Sequence, residues 1–139
     1  MAASIDEFKR SHGRIETALT TGETLAQNPA ALIAHLKTVR LEVLQHFKAK
    51  DDFYPALAAQ CTKAGDAAGA HLTHIFESNM HVQSAAVQRF FETLETAPAA
   101  NLLSSFQTVV TVIRQRFSTE ERAVFPLFIR SAKTLETHP

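Results

Sequence analysis

The sequence predicts an all-α protein, an antiparallel up-down-up-down four-helix bundle in which residues 1–139 form one domain. Apolar residues recur every three or four positions along four long segments, which is the spacing of one helix face. No segment shows the sustained alternation of a half-buried strand, and short stretches with proline or glycine separate the four segments. A chain of 139 residues with 45% hydrophobic residues is long and apolar enough for one packed core.

The first two segments form a predicted helical hairpin. Ser4 caps the first helix, which ends near Asn28 and Pro29, and the second helix covers about residues 30–59. Pro55 lies inside the second helix and predicts a kink there, because proline has no backbone N–H to donate. The inward stripes are predicted to contain Ile5, Phe8, His12, Ile15 and Leu19 in the first helix and Leu32, Leu36, Val39, Val43, His46, Lys50, Phe53 and Leu57 in the second.

The last two segments form a second predicted hairpin after a loop at residues 61–69, which leaves Cys61 half exposed. The third helix starts near Ala67 and ends before Pro98. The fourth starts near Ala99, contains Pro126 and is followed by a frayed tail at residues 134–139. The inward stripes are predicted to contain His74, Glu77, His81, Ser84, Val87, Phe91 and Leu94 in the third helix and Leu103, Phe106, Val109, Ile113, Arg116, Glu120, Val124 and Leu127 in the fourth.

An internal repeat relates the two hairpins. His12 and His81 are 69 residues apart, as are Pro29 and Pro98, and Pro55 and Pro126 are 71 apart. Two such hairpins would pack about a pseudo-twofold axis, with the stripes of all four helices around one central volume.

Ionisable residues interrupt the predicted inward stripes, among them His12, His46, Lys50, Glu77, His81, Arg116 and Glu120. Burying an unpaired charge costs several kcal/mol, so such groups are normally paired with each other or bound to a metal. Imidazole and carboxylate donors together suit iron, manganese or zinc. The predicted metal ligands are His12, His46, Glu77, His81 and Glu120. The alternative is a metal-free network in which Lys50 and Arg116 pair with the two carboxylates.

Three stretches resemble the hemerythrin-like HHE cation-binding family: FKRSHGRI (residues 8–15), QHFKAKDDFYP (45–55) and RFSTEERAVFP (116–126). The resemblance covers nearly the whole chain. It implies an antiparallel four-helix bundle with a non-haem di-iron site, typically held by five histidines and two carboxylates. His12, His46 and Glu120 match the family's ligand positions, and Glu77 and His81 stand where it usually has two histidines. Lys50 and Arg116 stand where it has a carboxylate and a histidine.

The resemblance implies a non-haem iron cofactor of one or two ions that binds O2, NO or peroxide, or senses redox state. Residues 45–52 and 114–121 also resemble the Rsd/AlgQ regulators, helical bundles that sequester a bacterial sigma factor. That second resemblance implies the alternative function, a metal-free regulatory or interaction bundle. No phosphate-binding loop or nucleophile elbow is present in the sequence, so we do not expect an enzyme.

Charge and composition narrow the expected partners. Fourteen basic and fourteen acidic residues give no net charge, which argues against a nucleic-acid partner. No apolar run approaches the ~20 residues of a membrane span, and no secretory signal is visible, so we expect a cytoplasmic protein. The expected partners are a small diatomic ligand or a regulatory protein, with a homodimer as one form of assembly.

Overall fold

The computed structural model describes residues 5–96 and 99–137, and these residues contain helices and turns but no strand. The helices are α1 (Ile5–Thr24), α2 (Pro29–Lys63), α3 (Ala67–Glu92) and α4 (Ala99–Thr119). A π-helical segment (Glu120–Val124) continues α4 into α5 (Phe125–Thr137), so the described residues form four helical rods. The all-helical prediction is confirmed, and the fold is consistent with a four-helix bundle. The antiparallel order and the pseudo-twofold repeat stay predictions.

Helices α1 and α2 follow their predicted stripes closely. All five predicted positions of α1 are buried, and so are those of α2 except Val39, which is half-buried. Asn28 caps α2, because its side chain accepts a hydrogen bond from the Ala31 N–H at 3.1 Å. The predicted cap of α1 at Ser4 lies outside the described residues.

The predicted loop at residues 61–69 is wrong for most of its length. Helix α2 runs through Pro55 to Lys63, so Cys61 is helical and fully buried rather than half exposed. Gly65 makes the turn with a φ of 79°, a conformation that glycine adopts at little cost. Asp66 then caps α3 by accepting a hydrogen bond from the Gly69 N–H at 2.8 Å, so three residues connect the two helices.

The π-helical segment explains how the fourth rod accommodates a proline. Pro126 cannot donate a backbone hydrogen bond, and its ring crowds the preceding helical turn. The Phe125 N–H donates to the Glu120 carbonyl five residues earlier, which widens the helix directly before the proline. The rod then continues as α5 to Thr137, so the frayed tail predicted from residue 134 is wrong up to that residue.

The first half of α3 has a different phase from the predicted one. Its buried positions include Thr73 and Met80, whereas His74 and His81 are exposed. Small residues (Gly69, Ala70 and Thr73) face the core there, while Leu72 and Ile75 are exposed. The predicted stripe there consisted of His74, Glu77 and His81, with no apolar residue to fix its phase, and two of these three side chains are exposed. From Val87 onward the predicted stripe is correct, with Phe91 and Leu94 buried.

Helix α2 is central to the packing, because it contacts α1, α3, α4 and α5. In the part of the chain that the structure describes, no helix combines the length and apolar character needed to cross a bilayer. The core thus formed surrounds a group of polar side chains that α1, α2 and the fourth rod supply.

Candidate functional site

Six polar side chains meet in the protein interior, between the helices, and each is at most 5% exposed. Helix α1 supplies one of them, α2 supplies three at successive turns, and the fourth rod supplies two that are one turn apart. We call this group the buried cluster: His12, His46, Lys50, Tyr54, Arg116 and Glu120. Side chains four residues apart lie on the same helix face. The three α2 residues of the cluster therefore share one face, and this face lies against the face that carries the two residues of the fourth rod.

Glu120 is the anion of the buried cluster, and both of its oxygens are occupied. Oε1 accepts from Lys50 Nζ at 2.5 Å and lies 3.2 Å from His12 Nε2. Oε2 accepts from the Tyr54 hydroxyl at 2.7 Å and lies 3.3 Å from Arg116 Nε, an ionic contact without hydrogen-bond geometry. Burial alone would raise the pKa of Glu120. The Lys50 charge and the hydrogen bonds from His12, Lys50 and Tyr54 outweigh burial and lower the pKa to about 2.

Lys50 is the cation in contact with that anion. Its Nζ also lies 3.4 Å from His12 Nε2 and 5.0 Å and 5.2 Å from the ring centroids of Phe117 and Phe47. Burial lowers the pKa of Lys50 to about 8, against the opposing effect of Glu120. The ammonium form therefore predominates at neutral pH, where the carboxylate and the aromatic faces stabilise it.

Arg116 and Tyr54 extend the buried cluster to α3. Arg116 Nη2 donates to the Tyr54 hydroxyl at 3.0 Å, and Nη1 lies 3.3 Å from both the Phe76 carbonyl and Gln83 Oε1. Burial and the nearby Glu120 carboxylate raise the pKa of Tyr54, so its hydroxyl keeps the proton that it donates. Tyr54 was missed in the sequence, although its place one turn after Lys50 on the His46 face was a usable signal.

His12 links the buried cluster to the surface. Its Nε2 faces Glu120, while its Nδ1 lies 2.7 Å from Oε2 of Glu121, a side chain that is 47% exposed. The ring stacks on Phe117 with a centroid distance of 3.8 Å and an interplanar angle of 9°. Two consecutive residues of the π-helical segment thus approach the two nitrogens of one ring and hold its orientation.

His46 completes the buried cluster without a polar partner at one nitrogen. Within the described residues its Nε2 is buried and has no hydrogen-bond partner, and its ring centroid is 4.8 Å from that of His12. Burial lowers the pKa of His46 to about 2, and the charge of Lys50 adds to that effect. His46 is therefore a neutral imidazole with an unused nitrogen.

Three of the five predicted metal ligands lie together in the structure. Donor atoms of His12, His46 and Glu120 are all within 4.8 Å of one another. Glu77 and His81 lie apart from them, where Glu77 Oε1 is 3.9 Å from His74 Nδ1 and His81 Nε2 is 3.7 Å from an Asp51 oxygen. The expectation that His81 faces the interior is wrong, because its side chain is 55% exposed as a result of the shifted phase of α3.

A di-iron centre does not fit these residues. Among the described residues only three donors gather at the centre, whereas the resemblance implies seven. Two of the three donor groups, His12 and Glu120, are in contact with the Lys50 ammonium, and Arg116 adds a second positive charge. The three donors could together hold a single ion, but the cation in contact with His12 and Glu120 is the Lys50 side chain.

The family comparison covers the residues of the buried cluster. The sequence model described as the hemerythrin HHE cation binding domain matches residues 3–128, a stretch that includes every member of the buried cluster. Comparisons with curated proteins and with solved structures gave no match.

Proposed function

The chain belongs to the hemerythrin HHE cation-binding domain family, and from this premise we propose that it is a metal-independent member, a regulatory or interaction bundle. In this proposal the Lys50 ammonium takes the place of the metal cation. The observation that carries it is the position of Lys50 Nζ, 2.5 Å from Glu120 Oε1 and 3.4 Å from His12 Nε2. Without the Lys50 ammonium, the side chains of Glu120 and His12 would be free to act as metal ligands.

The charges of the buried cluster support this proposal. Lys50 and Arg116 bring two positive charges against the single negative charge of Glu120, and His46 stays neutral. A divalent ion would add two more positive charges within a few ångströms of these cations. Like charges at such distances repel strongly in a weakly polar interior.

The closed surroundings favour a role in interaction rather than chemistry. All six side chains are buried, and both oxygens of Glu120 already have two polar neighbours each. A small ligand at Glu120 would have to displace one of these contacts and leave a buried polar group unpaired. We therefore propose that the protein is not an enzyme and that its outer surface binds its partner.

Metal analysis tests the proposal. We expect protein purified without chelator to contain far less than one iron, manganese or zinc ion per chain. We also expect its melting temperature to be unchanged by a chelator, because no ion contributes to its folding. Stoichiometric metal, with a melting temperature that a chelator lowers, would contradict the proposal.

The unused nitrogen of His46 favours one second candidate, a single-ion site. His12, His46 and Glu120 would hold one ion there after the Lys50 side chain had moved away. The predicted iron cofactor, with a diatomic ligand or a redox signal, belongs to this candidate. One tightly held ion per chain in the same metal analysis would favour it over the metal-independent function.

A further inference from the structure

Helix α3 carries an apolar stripe on its outer surface. Leu72, Ile75 and Val82 are 46%, 45% and 71% exposed, and they are three of the five large hydrophobic side chains that are exposed among the described residues. With Asn79 and Ala86 they form what we call the neutral stripe. At 100° per residue these five positions fall within about 80° of the helix circumference. Exposed apolar side chains grouped on one helix face are a candidate binding site.

The part of α3 that carries the neutral stripe is almost free of charged residues. Between Ala67 and Gln88 the sequence has a single Asp, Glu, Lys or Arg, namely Glu77, whose side chain is 20% exposed and lies on another face of α3. At Ala86 the stripe borders a groove of about 330 Å³ between α3 and α4, in which Arg89 is the only charged lining residue. Outer helix faces are normally rich in charge, whereas the centres of protein interfaces are depleted of it.

We propose that the neutral stripe pairs with the neutral stripe of a second copy of this chain, antiparallel and across a twofold axis at Asn79. In that arrangement Leu72 lies opposite Ala86 of the second copy, a large side chain against a small one, and Ile75 lies beside Val82. The Asn79 amide has both donors and an acceptor, so the two copies of Asn79 can bond each other at the axis. One surface used twice is the usual form of a homodimer interface.

The lack of charge favours a second copy as the occupant. A partner surface that carried charged groups would bury them here without a counter-charge, which is unfavourable. The same stripe on a second copy avoids that cost. One helix pair buries less than the ~800 Å² per partner of a standard interface, so the dimer is expected to be weak and to depend on concentration. The inference does not depend on whether the buried cluster binds a metal.

Sedimentation at a series of protein concentrations tests the pairing. We expect the average mass of the wild type to rise towards that of a dimer, and Val82→Glu to stay monomeric at every concentration. Leu41→Glu is the matched control, because Leu41 is 66% exposed but lies on α2. It should dimerise like the wild type. A wild type that stays monomeric throughout, or a Val82→Glu variant that associates like the wild type, would overturn the proposal.

Cysteine cross-linking tests the position of the axis. Asn79→Cys places two thiols opposite each other, so mild oxidation should give a covalent dimer. Gln88→Cys is the control, since Gln88 is exposed on a different face of α3, and it should stay mostly monomeric. The natural Cys61 is buried and should not compete. Equal cross-linking of both variants, or none in Asn79→Cys, would rule out this arrangement.

Discussion

Lys50 shows how much a single side chain can depend on its counter-charge. A fully buried ammonium is tolerated because Glu120 accepts its hydrogen bond and three phenylalanine rings lie within 6.0 Å of Nζ. Glu120 depends on Lys50 in the same way. Each of the two side chains is therefore expected to be far more important for folding than an exposed residue of the same type.

Lys50→Met should reduce the free energy of unfolding by about 3 kcal/mol or more, because it leaves the buried Glu120 carboxylate without its nearest cation. The same substitution at Lys48, an exposed residue of α2, should change it by less than about 0.5 kcal/mol. Urea unfolding of both variants at neutral pH measures the difference. Equal free energies of unfolding for the two variants would show that the contact of Lys50 with Glu120 does not stabilise the fold.

His46 predicts a specific pH dependence. Its pKa is about 2 in the folded protein and 6.5 in a model compound, so between these values the unfolded chain binds a proton that the folded chain does not. Stability therefore falls as the pH falls below 6.5, with a slope of up to about 1.4 kcal/mol per pH unit. Glu120 adds to the loss only as the pH falls from 4.5 towards about 2, because its pKa is lowered over that interval.

His46→Leu should remove most of the slope between pH 6.5 and 4.5, since leucine does not titrate. At neutral pH it loses no hydrogen bond from the unpartnered Nε2. His74→Leu, at an exposed histidine of α3, should leave the slope as it is. Urea unfolding across this pH interval decides the matter. An unchanged slope in His46→Leu would mean that His46 takes up a proton in the folded protein as readily as in the unfolded chain.

At the level of whole helices, apolar spacing predicted most of the fold. The stripes of α1, α2 and α4 are largely correct because large apolar residues such as Phe8, Leu36 and Ile113 recur on one face. At the start of α4 the prediction is wrong, since Leu102 is buried where Leu103 was expected and Leu103 is half-buried. The first half of α3 was assigned the wrong face because most of its inward positions are small residues and the stripe predicted there contained only ionisable ones. The π-helical segment was also missed, since Pro126 alone does not indicate how a helix will accommodate it.

The two glycines within α1 provide a test of packing inside one helix. A Cβ at Gly13 would meet nothing within 4 Å, whereas a Cβ at Gly22 would lie 2.8 Å from Cζ of the buried Phe106 ring. Gly13→Ala should stabilise the protein by about 0.5–1 kcal/mol, because alanine loses less backbone entropy in a helix. Gly22→Ala should destabilise it, because the packed ring cannot move away freely. Thermal unfolding should give a higher melting temperature for Gly13→Ala and a lower one for Gly22→Ala. Equal shifts of the two melting temperatures would contradict the packing of α1 on α4.

For the whole molecule, the sequence located the site better than it identified its chemistry. His12, His46 and Glu120 come together as expected, because three correctly phased helices supply them. Whether the cation beside these three donor groups is a metal ion or a side chain depends on where Lys50 Nζ lies. Helical periodicity specifies the face of a residue and not the position of its terminal atom. Glu121 was missed for the same reason, since its contact with His12 is made through the wider turn of the π-helical segment.

Zn²⁺ titration of Lys50→Glu beside the wild type tests the central claim most directly. The substitution replaces the resident cation by a fourth donor next to His12, His46 and Glu120. We predict that Lys50→Glu binds one Zn²⁺ per chain and gains thermal stability from it. The wild type and the surface control Lys48→Glu should show neither effect. Zn²⁺ binding to the wild type as tight as that to Lys50→Glu would contradict the claim that Lys50 replaces the metal.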